Sequence, residues 1–407
     1  MIFFDHDVKE MKQKFGFLRR DKMPLLLIVA MAALWAVMCM LTGSSFAGAT
    51  PYNTYTRQAM AWREGLLHLP EDVPYLELAV YEGEYYVSFP PLPSVVLLPL
   101  TFIFGWDTPD NLLMKLYAAG ACLLLYAALK RRGYRKWDAG IFSFLLCFSS
   151  SLLPLTLNGA VWYHAQVLAF FLTTAAVSLL ILDKPTLSLL CYALSVACRP
   201  FNALYALPLF AAYLAINRRA GKTIKTMIRA LLPGVCLGLC VAFGIGMYNY
   251  VRFGDVFEFG HNYLPEFSFQ GGVQFSLDHV GKNLKRFLWG LPLNSEGEVE
   301  KFGYSMLLAC PTLLLMLYWF IADLFRRRMR VEKAVVLVTC IANAFLLLLH
   351  RTFGGFQLGA RYAVDLVPYT FFYLLLTPEK KRSNIVELLI LLAVLGFTAW
   401  AATIVHL

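Results

Sequence analysis

Phe89-Pro-Pro-Leu-Pro-Ser-Val-Val-Leu-Leu-Pro-Leu-Thr-Phe-Ile-Phe-Gly105 is apolar enough to enter a bilayer, and whether it crosses decides the fold. The segment 90–105 is about 16 residues long, short of the ~20 needed to span ~30 Å of hydrocarbon. It also carries Pro90, Pro91, Pro93 and Pro99, which interrupt helical hydrogen bonding. The reading is a proline-led juxtamembrane or re-entrant helix that does not traverse the membrane.

Charge parity leads to the same reading. Basic clusters stand at the N-terminus, Lys130 to Lys136, Arg218 to Arg229, Arg326 to Lys333 and Lys380 to Arg382, and together hold 24 of the 36 Lys and Arg. Such clusters mark the cytoplasmic side. Between the second and third lie four apolar runs, near 138–156, 160–182, 186–199 and 201–216, and each of the next two intervals holds two. An even number returns the chain to the same side. Before Lys130 there are three, 24–43, 90–105 and 110–129, so one cannot cross, and 90–105 is the weakest. The count is about eleven transmembrane helices, with a last span at 385–405 and the C-terminus outside. The N-terminus, 1–23, is cytoplasmic and leads into an uncleaved first span. A seven-span module, 24–252, includes a first outer loop at 42–109. A second outer loop, 253–303, precedes a four-span module, 304–407.

Composition supports an all-α polytopic membrane protein. Of 407 residues, 59% are hydrophobic and 15% charged, with a mean hydropathy of +0.60. Soluble domains run at about 45–50% apolar and about 25% charged. The net charge of +10 sits in the short clusters between apolar runs, which argues for membrane orientation and against nucleic acid. Nine cysteines, Cys236 and Cys240 among them, fall in apolar runs without zinc-site or disulfide spacing and read as small buried hydrophobes. No phosphate-binding P-loop, dinucleotide glycine fingerprint or serine-hydrolase elbow occurs.

In the first outer loop, Tyr55 to Leu69 has apolar residues at roughly helical spacing, as in a helix lying on a membrane surface. Tyr75 to Tyr81 and Tyr85 to Phe89, joined by Glu-Gly-Glu, read as a short β-hairpin. The order is surface helix, hairpin, proline-led helix.

Gly83-Glu-Tyr-Tyr-Val-Ser-Phe-Pro-Pro-Leu-Pro93, after Arg63-Glu-Gly-Leu-Leu-His-Leu69, resembles the first outer loop of polytopic membrane glycosyltransferases of the GT-C superfamily, the protein O-mannosyltransferase and aminoarabinose-transferase-like group. Tyr248-Asn-Tyr-Val-Arg-Phe-Gly-Asp-Val-Phe-Glu-Phe-Gly260 and Phe353-Gly-Gly-Phe-Gln-Leu-Gly-Ala-Arg-Tyr362 resemble further segments of that group. The resemblance implies a polyprenyl-phosphate-linked sugar as donor, a cell-envelope glycan, lipid or protein as acceptor, and a first-loop carboxylate acting on the acceptor at the outer face of the plasma membrane. The pattern departs in one place: the usual acid stands a few residues after the first span, yet Leu41 to Arg63 holds no Asp or Glu, and Asn53 stands there instead. Glu77, in an apolar strand-like stretch, is the first replacement and Asp72 the second. The missing acid keeps a catalytically inactive scaffold as an alternative. A lipid or polysaccharide transporter is a further alternative, although the charge pattern lacks the midspan acids and paired broken helices that transport requires.

Transfer from a lipid phosphate needs cations for the departing phosphate, because negative charge grows there in the transition state. Arg199, Arg252, Arg351 and Arg361 fall near outer ends of spans, against the positive-inside bias. Arginine suits a fixed phosphate through its bidentate fork, and Arg361 is the leading phosphate ligand because the glycine-rich turn before it, Gly354, Gly355 and Gly359, permits close backbone approach. Each arginine also has a plain reading as an interfacial side chain. For Arg252 that reading is an ion pair with Asp255 or Glu258, and for Arg361 an ion pair with Asp365 four residues on. Asn53, Tyr85, His164, Asn249, Glu258 and His261 complete the candidate substrate contacts. Glu258-x-x-His261 admits a divalent metal as a possible cofactor, but the spacing alone assigns none.

Overall fold

The computed structural model describes residues 21–265, 274–352 and 354–405. Most of the predicted N-terminal segment, positions 266–273 of the predicted second loop and Phe353 lie outside them. The described chain is helical apart from one two-stranded sheet. Its helices in order are α1 (Met23–Thr42), α2 (Thr54–Arg63), α3 (Leu92–Phe104), α4 (Asp110–Arg131), α5 (Lys136–Phe148), α6 (Val161–Ile181), α7 (Pro185–Cys198) and α8 (Ala206–Arg219). They continue with α9 (Ile224–Phe253), α10 (Val280–Trp289), α11 (Thr312–Phe325), α12 (Val331–Leu348), α13 (Val367–Leu375) and α14 (Ile385–Ile404), with short helical turns between.

Six of these, α1, α4, α6, α9, α12 and α14, are long and apolar enough to cross a membrane. The other expected spans coincide with shorter helices, so the count of eleven rests on charge parity. The protein is an integral membrane protein whose central helix, α6, is hydrophobic all round and buried on nearly every side, as a core helix must be. The peripheral α9 is its opposite. Only 6% of its apolar window is buried, and it leans on α7 at Gly234, where an added Cβ would meet the Leu189 Cβ at 2.9 Å. Close backbone approach through small residues is how helices associate without a hydrophobic drive. Cys236 and Cys240 are exposed on this helix, which corrects their reading as buried side chains.

The first loop follows the expected order with shifted limits. α2 ends at Arg63, so Leu66 to Leu69 is not helical. The hairpin pairs β1 (Leu78–Tyr81) with β2 (Glu84–Val87) around a two-residue turn, Glu82 and Gly83, with φ of 51° and 85°. A positive φ at both turn residues matches the right-handed twist of the strands. Glu77 therefore precedes the strand rather than lying in it. The 13 residues of α3 rise about 20 Å. It docks on α2 through Ser94 Oγ to Gln58 Oε1 (2.7 Å) and Arg63 Nη1 to the Thr101 carbonyl (2.6 Å).

Two buried polar groups hold the loop's root. Asp110 Oδ1 accepts from the Thr50 amide at 2.9 Å, and Lys115 Nζ, in a side chain 1% exposed, donates to the carbonyls of Asn111 and Thr156, each at 3.1 Å. At the other end of the bundle, Lys333 pairs with Asp323 at 2.6 Å, and Tyr373 donates to the same carboxylate at 2.8 Å.

Candidate functional site

Between the hairpin, the start of α6, the end of α7 and the turn before α13 lies a cavity of about 630 Å³, within the 300–1,000 Å³ usual for small-ligand sites. It gathers six of the candidate residues: Glu77, Arg199, Glu258, His261, Arg351 and Arg361. Phe89, Pro90, Phe257, Phe259, Leu264 and Phe275 supply apolar wall. Glu77 is half-buried, and among the described residues nothing hydrogen-bonds or ion-pairs with its carboxylate; only its carbonyl is engaged, by Ser88 Oγ at 3.3 Å.

Arg361 opens a 3-10 turn, Arg361–Leu366, that is pinned from two sides. Its amide donates to Gln357 Oε1 at 2.8 Å, and its carbonyl accepts from Gln166 Nε2 at 2.6 Å. The guanidinium lies 4.9 Å from the Tyr362 ring centre and donates from Nη2 to the Tyr362 hydroxyl at 3.2 Å. Its Nε is buried without a hydrogen-bond partner, and no carboxylate pairs with it among the described residues. The expected pair with Asp365 does not form. Asp365 instead takes Arg199, whose Nε and Nη2 reach the same oxygen at 3.1 and 2.7 Å. The reason is local geometry: a 3-10 turn has three residues per turn, so positions four apart no longer share a face.

Arg252 does not line the cavity, and it is not paired with Asp255 or Glu258. Its side chain is 4% exposed and donates to the Val87 carbonyl and to Asn249 Oδ1, both at 3.0 Å, with the Tyr248 ring centre 4.0 Å away. Arg252 and Asn249 thus fasten β2 to the end of α9. Arg351 is set in place by backbone: its amide donates to the Gln274 carbonyl at 2.8 Å.

The remaining candidates stand away from the cavity wall. Asn53 precedes α2 and accepts from Arg57 Nε at 3.0 Å, Tyr85 is a hairpin residue whose carbonyl accepts from the Leu69 amide at 2.7 Å, and Asp72 is exposed in a turn. His164, 1% exposed, packs edge-on against Tyr55 and Tyr117.

Both oxygens of Glu258 are occupied, by the Gly260 amide and Asn262 Nδ2 at 2.5 Å each. No group of three or more His, Cys, Asp or Glu is placed to hold a metal ion among the described residues. Desolvation, reinforced by His350 and Arg199, pushes His261 down to about 4, and desolvation lowers His350 as well, so both imidazoles are held neutral near pH 7. The sequence reading missed His350, Gln274 and Gln166, and it took Tyr362 for an aromatic of the membrane boundary. His350 was findable as the neighbour of Arg351 at a span end, whereas Gln166 carried no signal, since a lone amide in an apolar helix usually satisfies backbone.

Among the described residues the arrangement offers the unengaged carboxylate of Glu77, an Arg361 without a counterion and an Arg199 paired with Asp365, with Arg351 beside them, between aromatic walls. That is the equipment for deprotonating a hydroxyl while holding an anion.

A scan of the sequence against protein-family models found no match, and neither did a search of curated proteins. A solved structure does share the fold, and others resemble it. ArnT from Cupriavidus metallidurans, solved bound to undecaprenyl phosphate, matches with a TM-score of 0.50 and 13% identity over 86% of this chain and 59% of that one. The oligosaccharyltransferase AglB from Archaeoglobus fulgidus, solved with an inhibitory peptide and a dolichol-phosphate, matches with a TM-score of 0.49 and 12% identity over 92% of this chain and 55% of that one. The chain thus spans less than two thirds of each.

Proposed function

The chain has the GT-C fold, and from that premise we propose that it is an inverting glycosyltransferase that moves a sugar from a polyprenyl-phosphate donor to a cell-envelope acceptor on the outer face of the plasma membrane. One observation carries the reading: a single cavity joins the carboxylate of Glu77, unengaged among the described residues, to the guanidinium of Arg361, which has no carboxylate partner among them. The ArnT structure of the same fold was solved with undecaprenyl phosphate, the kind of carrier such a cavity would take.

In the reaction, the acceptor hydroxyl oxygen attacks the anomeric carbon from the face opposite the phosphate. A C–O bond forms there, and the bond from the anomeric carbon to the phosphate oxygen breaks with its electron pair staying on the phosphate. Glu77 takes the hydroxyl proton and afterwards passes it to solvent. Arg361 and Arg351 meet the charge that grows on the departing oxygen, an interaction stronger in the transition state than before it. The aromatic and aliphatic wall receives the first isoprene units and excludes water.

The full chain in nanodiscs is tested with undecaprenyl phosphate for binding, and with donor lipid and acceptor extracted from the host envelope for transfer. Wild type should bind and transfer. Glu77→Gln should bind within about twofold of wild type and lose transfer by about a hundredfold or more, the usual reach of a general base. Equal transfer by wild type and Glu77→Gln removes Glu77 from the chemistry. Binding without transfer by wild type selects the inactive scaffold, the reading favoured by the absence of any acid from Leu41 to Arg63.

A further inference from the structure

Arg199 and Arg361 approach the same ring, that of Tyr362, with guanidinium carbons 5.4 and 4.9 Å from its centre. Both line the cavity, yet they differ in electrical state. Arg361 has no carboxylate partner among the described residues. Arg199 spends Nε and Nη2 on a single oxygen of Asp365, leaving Nη1 unengaged among the described residues. Asp365 is 6% exposed and does not line the cavity. Gln166 Nε2 lies 3.4 Å from its other oxygen, and the Tyr205 hydroxyl donates to its carbonyl at 2.9 Å. The carboxylate is held by Arg199 on one oxygen and Gln166 on the other, and Tyr205 fixes the backbone it hangs from.

Glycosyl transfer changes the charge of what this cavity holds. The donor is a phosphodiester with one negative charge; the product is a phosphomonoester, which carries about −1.5 to −2 at neutral pH. A row of uncompensated arginines would bind the product more tightly than the donor and hold it after the chemistry, when release sets the rate. We propose that Asp365 is a charge-setting residue that cancels the positive charge of Arg199 while leaving it a hydrogen-bond donor, so that the spent polyprenyl phosphate can leave. This rests on the transferase reading above, and it makes Asp365 oppose phosphate affinity rather than serve it. A merely structural acid would do the reverse: its loss would loosen Arg199 and weaken binding.

The test is undecaprenyl phosphate binding to the full chain in nanodiscs, with size-exclusion profile and thermal midpoint as the check on folding. Asp365→Asn should bind about tenfold tighter than wild type with a steeper salt dependence, Arg199→Gln about tenfold weaker, and the double variant close to wild type, because in both wild type and double variant the pair is neutral. Asp365→Glu, which keeps the charge, should bind like wild type. If Asp365→Asn does not fold, the double variant decides, and it must regain the affinity lost by Arg199→Gln. Equal or weaker binding by folded Asp365→Asn, or a double variant as weak as Arg199→Gln, overturns the inference and leaves the transferase reading intact. Failure of wild type to bind undecaprenyl phosphate overturns the transferase reading itself.

Discussion

The side chain of Asn283 donates to the carbonyl of His350 at 2.7 Å and, with the same nitrogen, to the carbonyl of Leu348 at 3.0 Å. Asn283 is 3% exposed on α10; Leu348 is the last residue of α12, and His350, two residues on, directly precedes Arg351. A single amide therefore caps a helix and sets the cation that follows it. Asn283→Leu leaves two carbonyls without their donor, at about 1–3 kcal/mol for a buried unsatisfied group. The expected outcome is a lower thermal midpoint together with weaker undecaprenyl phosphate binding, since the turn that leads into Arg351 loses one of its ties while the Arg351 amide bond to Gln274 remains; a midpoint and affinity like wild type would remove Asn283 from this role.

Gly354 has φ of +105°, and a Cβ there would lie 3.1 Å from Arg361 Nε and run into the side-chain amide of Gln357. Gln357 is the acceptor for the Arg361 amide, so a methyl at this position displaces the residue that aims the arginine. Gly354→Ala should cost about 1–2 kcal/mol of backbone strain and lower undecaprenyl phosphate affinity by about tenfold, read by isothermal titration.

Arg252 and Arg361 should separate under substitution although both are arginines near the ends of spans. Arg252→Lys replaces a fork that reaches two acceptors with a point charge that cannot, and should cost about 2 kcal/mol of stability while leaving phosphate affinity within about twofold. Arg361→Gln should do the opposite, with folding kept and affinity reduced. A loss of affinity in both variants, or in neither, contradicts the assignment of one to scaffold and the other to ligand.

What the sequence carried and what it withheld follow the range of each interaction. The hairpin was legible because two short strand-like runs flank a glycine-centred turn, although the turn closes on Glu82 and Gly83 alone rather than on Glu-Gly-Glu, and the proline-led helix because its prolines and length are local facts. The arginines were legible as outliers against the charge bias, but their partners were not. Arg252 meets Val87, 165 positions away, and Arg199 meets Asp365, 166 positions away, and no periodicity records such pairs. The Arg361–Asp365 expectation failed for a different reason: it applied α-helical spacing to a stretch that winds as a 3-10 turn. Cys236 and Cys240 were misplaced because apolar surroundings in a membrane protein include the lipid.

His261 ties stability to pH. Its ordinary value is 6.5, and desolvation in the cavity wall, with His350 and Arg199 acting in the same direction and Glu258 and the Ser88 carbonyl against, holds it at about 4. Above pH 6.5 both folded and unfolded states hold it neutral and it contributes no pH dependence. As pH falls from 6.5 towards 4, the unfolded chain takes up a proton that the folded chain refuses, so stability declines across that window. His350, also lowered, acts with the same sign. His261→Phe should flatten the decline of the thermal midpoint between pH 6.5 and 4; an unchanged slope would show that His261 titrates freely in the folded protein.

The sidedness of the cavity turns on α3, whose 13 residues rise about 20 Å against ~30 Å of hydrocarbon. If α3 does not cross, the hairpin and the loop between α8 and α9 lie on opposite sides of the membrane. Val80 is 42% exposed in β1, and Lys222 is exposed in the turn before α9, so a cysteine at either is reachable by an aqueous reagent. The native Cys236 and Cys240, though exposed, sit on an apolar helix and set only the background of the parent chain. In intact cells, a membrane-impermeant maleimide should label Val80→Cys, and should label Lys222→Cys only after permeabilisation. Labelling of Val80→Cys only after permeabilisation would put Glu77 and Arg361 on the cytoplasmic side, where a nucleotide-linked donor is available and the argument for a polyprenyl phosphate loses its footing.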